Sequence, residues 1–366
     1  MTLTRQIHLV RRPNGVPTLE DFALVEAPVA DAGEGQVQVE ALMMSVDPYM
    51  RPRLDADQPL GAPLLGGGIG RVVQSNNDRF AVGDLVRHGA GFQERFVSDG
   101  KGLSVLKRDP ELPLSVYMHA LGATGITAYG GLLETGALKD GEQVFISTAA
   151  GAVGSVAAQI AKIKGCYVVG STGAEDKVAW LRDEVGLDAV INYKTQDLAQ
   201  ALKDATPKGI DVYFENVGGA HLDAALPRMN VRGRIPVCGM ISTYNGGGEG
   251  VKNLFSLIYG RIRMEGFVAS DFGHLNAAFL ADMTGWLKDG RVKYQETILE
   301  GFERAPEGLI GLFSGANNGI SCDPWLRPAA SWNCPWPGFP SSPLVRVKSW
   351  FGWKARRSTH PTSACW

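Results

Sequence analysis

The sequence is poor in the features that would take it out of the soluble globular class. No run of about 18 uninterrupted apolar residues occurs, so no membrane span is expected. Met1 to Arg12 carries basic residues without an apolar core of signal-peptide length. The formal net charge is only -2, which argues against nucleic acid or an anionic membrane surface as the main partner. Cysteine is scarce, and before residue 321 only Cys166 and Cys238 occur, each in an apolar run that reads as a buried strand. Two isolated thiols exclude a disulfide framework there and suit a reducing cytoplasm. The closely spaced four-cysteine loop of a structural zinc site is also missing.

What the sequence has in abundance is glycine, 46 residues of it, much of it clustered where the backbone must turn or approach something closely. At 366 residues it is long enough for one large domain or two ordinary ones. Residues 1–122 show short β-type runs broken by Gly and Pro, among them Gln36 to Glu40, Gly70 to Val73 and Asp84 to Arg87. Such spacing predicts a small barrel or sandwich. From 123 to 298, apolar strands alternate with helical patterns, which predicts a parallel sheet covered on both faces. The strands read as Gln143 to Ser147, Cys166 to Gly170, Asp188 to Ile191, Asp211 to Phe214, Arg234 to Cys238 and Met264 to Val268. Val153, Val156, Ala157, Ile160, Ala161 and Lys164 mark a helix after the first of them.

The first strand runs into Thr148-Ala149-Ala150-Gly151-Ala152-Val153-Gly154-Ser155, and the helix comes at once. Strand, glycine-bearing turn and helix are the context that a dinucleotide site needs. Gly151 permits backbone N–H groups to approach a pyrophosphate, and Gly154 lets the helix pack close to the sheet. The alternative is an ordinary tight turn. The next strand ends in Ser171-Thr172-Gly173, where an NAD enzyme usually carries Asp or Glu for the ribose 2′-hydroxyl. Lys177, a turn further on, is placed to neutralise a 2′-phosphate, which favours NADPH. A solvated helix lysine beside Asp176 is the competing reading.

Several stretches together resemble the zinc-free branch of the medium-chain dehydrogenase/reductase superfamily that holds prostaglandin, alkenal double-bond and curcumin reductases. They are Ser45 to Arg51, Ala149 to Ser155, Asn192 to Lys194, Phe214 to Gly219, Cys238 to Tyr244 and Arg263 to Phe267, within a resemblance running from about Arg5 to Gly319. The resemblance implies a Rossmann doubly wound parallel sheet at 123–298, and a GroES-like β-rich catalytic domain at 1–122 to which 299–319 returns. It implies NADPH, with Gly151, Ala152, Val153 and Gly154 at the pyrophosphate and Lys177 and Tyr193 at the adenosine 2′-phosphate. Asn216 would sit beside the nicotinamide ribose, and Cys238 to Tyr244 would line the cofactor. Phe267, Val268, Ala269 and Asn317 would close around the nicotinamide, while Tyr49 and Tyr259 would face the substrate. The bland alternatives are packing roles for Tyr193 and Tyr259, a helix cap for Asn216, and a plain buried strand residue at Cys238. A homodimer in the cytoplasm is expected.

Zinc-dependent relatives of that superfamily supply a Cys, a Gly-His-Glu and a second Cys or acidic ligand; Leu65 to Gly70 here offers none. Reduction of the C=C bond of an α,β-unsaturated ketone or aldehyde fits, because the charge appears as an enolate that hydrogen-bond donors can hold. Tyr259 is the candidate catalytic donor, acting with the cofactor's ribose hydroxyl. The alternatives are a quinone reductase, or a non-catalytic NADPH-binding protein. The second alternative arises from the tail, 320–366. After Ile320 come six of the eight tryptophans, three of the five cysteines and seven prolines, with no periodicity. That mix is what a GC-rich gene gives when read out of frame, and a frameshifted terminus without a packed core is expected; a genuine extension, with Leu344 to Val347 replacing the family's last strand, competes with it.

Overall fold

The computed structural model describes residues 2–248, 250–296, 299–314, 320–323 and 344–347. In the first part of the chain, β1 (Thr2–Leu9) and β2 (Phe22–Val29) form an antiparallel pair. β3 (Val37–Val46), β4 (Gly68–Ser75), β5 (Leu85–His88), β6 (Arg95–Ser98) and β7 (Ser104–Val105) are antiparallel neighbours in a second sheet. A short helix, α1 (Met50–Asp55), comes after β3. The Val37, Val39, Val72, Val86 and Phe96 side chains gather on one side of this sheet, and Ala41, Met44, Val46, Met50 and Leu54 belong to another cluster.

The middle of the chain alternates strand and helix. A parallel sheet holds β8 (Gln143–Ile146), β9 (Tyr167–Thr172), β10 (Ala189–Asn192), β11 (Ile210–Phe214), β12 (Met229–Val237) and β13 (Arg263–Gly266), in the order β10-β9-β8-β11-β12-β13. The helices are α2 (Ala123–Gly130), α3 (Gly154–Ile163), α4 (Glu175–Asp183), α5 (Leu198–Ala205), α6 (Gly219–Ala225), α7 (Ser256–Gly260) and α8 (Asn276–Lys288). Successive strand residues divide between two apolar clusters: Val144, Ile146, Val168, Val212 and Phe214 join one, Phe145, Val169 and Tyr213 the other. A strand buried on both faces must be apolar at every position, which is why these runs lack polar alternation. All six strands expected from the sequence form, within one to five residues of the expected ends. The strand order reverses direction between β8 and β11, and a crevice at that switch point is where open α/β sheets bind their ligands.

The chain then returns to the β-rich sheet through β14 (Leu299–Glu300) and α9 (Ala305–Ser314), whose Leu309 and Leu312 pack with Ile7, Met50 and Phe92. β15 (Ile320–Asp323) pairs antiparallel with β3, Ile320 opposite Val46, and β16 (Leu344–Val347) pairs with β15 and β14. Two pieces of the tail are therefore strands of this sheet, and β16 spans the Leu344 to Val347 run of the competing reading. Their short runs of β-compatible residues meet the open hydrogen-bonding edge of β3. The rest of the tail lies outside the described residues, as does Asn317. Among the described residues no helix is long and apolar enough to cross a membrane.

Candidate cofactor and substrate site

The turn from β8 into α3 is tight for a steric reason. Thr148 takes φ +51°, uncommon for a β-branched residue, and its carbonyl accepts the Gly151 N–H at 2.7 Å. A Cβ on Gly154 would lie 2.2 Å from the Thr148 oxygen and 3.1 Å from the Ala149 Cα, so the first turn of α3 can seat here only without a side chain. At Gly151 the nearest atoms are the Thr148 Cγ2 at 2.8 Å and carbonyl oxygen at 3.0 Å. The helix N-terminus of α3, with Ala152 and Val153 just before it, thus presents backbone N–H groups and a partial positive charge at the switch point.

At the ends of β9 and β10 a second cluster forms. Gly173 is close to Tyr193 and Lys194: a Cβ there would lie 2.8 Å from the Tyr193 hydroxyl and 3.1 Å from the Lys194 Cε. Lys177, on α4, is only 6% exposed, so it is not the solvated helix lysine of the competing reading. Burial lowers its pKa, with Asp176 opposing that shift and Lys194 adding to it. Two lysines, a phenol and a bare glycine therefore share one strand end. Lys194 carries no role in the sequence analysis; the one signal for it there is a positive charge directly after Tyr193. Tyr193 also meets the buried His221 of α6 edge-on, ring centroids 4.9 Å apart, and burial pushes that imidazole down to about 4. The Tyr193 ring therefore packs against α6, with its hydroxyl close to Gly173.

Across the switch point, Asn216 lies just beyond β11. Its backbone N–H donates to the Ser147 hydroxyl at 2.8 Å and its Nδ2 donates to the Ser147 carbonyl at 2.7 Å. Ser147 in turn donates to Oε1 of the fully buried Glu215 at 2.9 Å, and that oxygen also accepts the Val217 N–H at 2.6 Å. The Ser147–Glu215 bond joins the two strand ends and was not expected from sequence, where a glutamate between Phe214 and Asn216 gives no sign of being a buried acceptor. The segment Cys238 to Tyr244 lies against this loop: Ile241 N–H donates to the Asn216 carbonyl and Ser242 N–H to the Val217 carbonyl. The Tyr244 hydroxyl accepts the Met240 N–H at 3.2 Å, and burial raises its pKa. Burial, with the Glu215 carboxylate nearby, pushes the Cys238 thiol up to about 12, so it stays protonated and is no nucleophile.

A cleft of about 580 Å³ lies between α1, at Pro52 and Asp55, and Val237 to Gly246. Tyr49 immediately precedes α1; it keeps 45% of its surface open, yet its hydroxyl is enclosed enough that burial, with Asp47, raises it to about 12. The Phe267 ring turns into the apolar core, 5.9 Å from Phe214 and 5.5 Å from Phe272, while Val268 beside it is exposed. Tyr259, on α7, is 70% exposed with its ring 5.1 Å from Phe255. The structure therefore draws Gly151 to Gly154, Asn216 and Cys238 to Tyr244 to one switch point and gathers Lys177 with Tyr193 beside it, whereas Tyr259 stands on an open surface.

Comparison with known proteins agrees with this arrangement. Residues 5–106 match a family described as the N-terminal domain of oxidoreductase, and residues 152–283 one described as zinc-binding dehydrogenase. The chain is 43% identical to the NADP(+)-dependent 2-alkenal reductase of Nicotiana tabacum, over 86% of this chain and 95% of that protein. It is 41% identical to the NADPH-dependent curcumin reductase of Escherichia coli, over 85% and 94%. The crystal structure of CurA from Vibrio vulnificus in complex with NADPH superposes with a TM-score of 0.81 at 40% identity, covering 86% of this chain and 97% of that one.

Proposed function

The chain belongs to the medium-chain dehydrogenase/reductase branch that holds alkenal, curcumin and prostaglandin reductases, and from that premise we propose that it reduces the C=C bond of α,β-unsaturated ketones or aldehydes with NADPH and without zinc. The observation that carries the reading is the cradle at the switch point: a glycine turn whose Cβ positions are already taken up by Thr148, with the Lys177, Tyr193 and Lys194 cluster at the neighbouring strand end. Those residues fit the dinucleotide. Gly151 to Gly154 would hold its pyrophosphate through backbone N–H groups, and Lys177 with Tyr193 its 2′-phosphate. Asn216, Cys238 to Tyr244 and the Val268–Ala269 backbone would border the nicotinamide half, with Asn317 as the further member of that set.

Bound NADPH would supply the hydride for the β-carbon of the substrate, and the α-carbon would take its proton from Tyr259 or from water. The chain's own part is to orient the two molecules across the cleft and to hold charge at the substrate's carbonyl oxygen. Substrate and cofactor seated between α1 and the Cys238 to Tyr244 segment would displace water there and so strengthen each hydrogen bond made to them. Tyr49 would bound the substrate, and Tyr259 would donate to the carbonyl oxygen. No metal is called for, since an enolate spreads its charge onto that oxygen.

We take 1–122 with 299–319 as the GroES-like catalytic domain and 123–298 as the Rossmann domain. A homodimer is supported by β13, which is the outer strand of its sheet and exposed at all four residues, Met264 among them, with Val268 open just beyond it. Unpaired Cys166 and Cys238 suit the cytoplasm. The test is steady-state turnover of an alkenal and of a quinone at equal NADPH, with and without a chelator. Faster alkenal reduction, unaffected by the chelator, is expected. A quinone preference, a loss of rate on chelation, or NADPH binding without any turnover overturns the proposal.

A further inference from the structure

Arg51 is one of the largest side chains to be fully enclosed, at 2% exposure, and it sits two residues after Tyr49 in α1. A guanidinium withdrawn from water is stable only if acceptors replace the water it gives up. Its acceptors come from three separate parts of the chain. Nη1 donates to Asp55 at 2.7 Å, one turn along α1. Nη2 donates to the carbonyl of Gly15 at 2.8 Å, in the connection between β1 and β2. Nε donates to the Asn245 side-chain oxygen at 3.0 Å, with the Gly15 carbonyl at 3.3 Å. Asn245 belongs to the other wall of the cleft, one residue beyond Tyr244.

The residues after Asn245 give the reason for a tether at that point. Gly246, Gly247 and Gly248 have φ of +78°, +78° and +118°. Three consecutive glycines give the backbone maximal freedom and provide no side chain to pack. The segment Cys238 to Tyr244 is sewn to the Asn216–Val217 loop at its near end by the Ile241 and Ser242 N–H bonds. At its far end the Arg51 guanidinium supplies the fixed point. The planar fork of an arginine can serve all three acceptors at once, which a lysine ammonium on a flexible stem does far less well.

We propose that Arg51 is a positioning residue that clasps α1 to the Asn245 end of the Cys238 to Tyr244 segment, and so sets the separation of the substrate and cofactor walls of the cleft. The clasp rests on the proposed function, in which those two walls carry Tyr49 and the NADPH-lining residues. It concerns alignment rather than chemistry, because Arg51 is enclosed and does not itself reach the open part of the cleft.

Removing the arginine would strip a buried site of its centre and put folding at risk, so the test acts on the half-buried partner. Asn245→Ala deletes the acceptor, and Asn245→Asp keeps an oxygen in the same place. In Asn245→Ala the KM for an alkenal and the Kd for NADPH should each rise roughly tenfold, as expected for the loss of one charge-assisted hydrogen bond. The Asp variant should stay within about twofold of the parent in both and hold its melting temperature within about 2 °C, whereas Asn245→Ala should melt a few degrees lower but remain folded, because Arg51 keeps Asp55 and the Gly15 carbonyl. Unchanged KM and Kd in Asn245→Ala, or equal impairment of the Ala and Asp variants, would overturn the clasp. Should the parent protein turn over no enone, the functional reading fails by itself, and the clasp is still decided by the two NADPH affinities measured by calorimetry.

Discussion

The two walls of the cleft are built by different means. The cofactor wall is made of backbone: strand ends, a glycine turn, and carbonyl and N–H groups joined through Ser147, Glu215 and Asn216. The facing wall is made of side chains on a short element, the six-residue helix α1 with Tyr49 just ahead of it, while Tyr259, on a five-residue helix, stands outside the cleft on an open surface. A backbone wall fixes position with little freedom to vary. A side-chain wall can change its occupants without disturbing the fold, which suits enzymes that share a cofactor and differ in substrate.

The contrast is broken most severely at the glycines. Gly154 and Gly151 belong to one motif but meet different constraints. A Cβ at Gly154 would strike a backbone carbonyl at 2.2 Å, an atom that cannot move without unseating α3, whereas at Gly151 the closest atom is a side-chain methyl at 2.8 Å. Gly154→Val should cost on the order of 3 kcal/mol or more in stability, seen as a large fall in the midpoint of urea unfolding. Gly151→Val should lose less stability than Gly154→Val, and, if this turn holds the pyrophosphate, should lose most NADPH affinity. Equal losses of stability in both variants would show that the motif is purely structural.

A smaller effect is expected at Lys177. A charge-assisted hydrogen bond is worth about 1.5–3 kcal/mol, so Lys177→Ala should weaken NADPH binding by roughly 10- to 150-fold while NADH affinity barely changes. Because Lys177 is enclosed, its stem also packs, and Lys177→Met separates the two contributions: it should restore stability without restoring NADPH affinity. Titration calorimetry with both cofactors reads the outcome, and parallel losses for NADPH and NADH would remove Lys177 from the phosphate.

The same division explains what the sequence made legible. The parallel sheet was readable because a strand buried on both faces must be apolar throughout, as Val144-Phe145-Ile146 is. The glycine turn was readable because steric exclusion acts at fixed positions. Lys177 was readable from its place one turn beyond the end of β9, and Tyr193 only through the family resemblance. The Ser147–Glu215 and Arg51–Asn245 bonds were not readable, since each joins residues 68 or 194 positions apart and neither partner advertises its acceptor in the local pattern. The strand β15 was hidden for a related reason, since its pairing is decided by the open edge of β3, whereas β16 was legible as the one apolar run of the tail, Leu344 to Val347.

The mildest perturbation sharpens the substrate side. Tyr259 was expected to donate to a substrate oxygen, and the structure sets it on an open face with Phe255 as its ring neighbour. A hydroxyl in water already has partners, so its net contribution to a transition state is small unless substrate or a second chain excludes that water. Tyr259→Phe removes one oxygen and leaves the ring against Phe255. If the hydroxyl donates to the developing enolate, kcat should fall by roughly two- to tenfold, the equivalent of ~0.5–1.5 kcal/mol, with a smaller change in KM, because the interaction strengthens only as charge develops. If the ring merely packs, Phe preserves everything and Phe255→Ala does the damage. Single-turnover rates with an alkenal distinguish the two cases, since they report the chemical step directly. A chemical step unchanged in Tyr259→Phe returns the residue to packing, and leaves the carbonyl oxygen to be held from the cofactor wall alone.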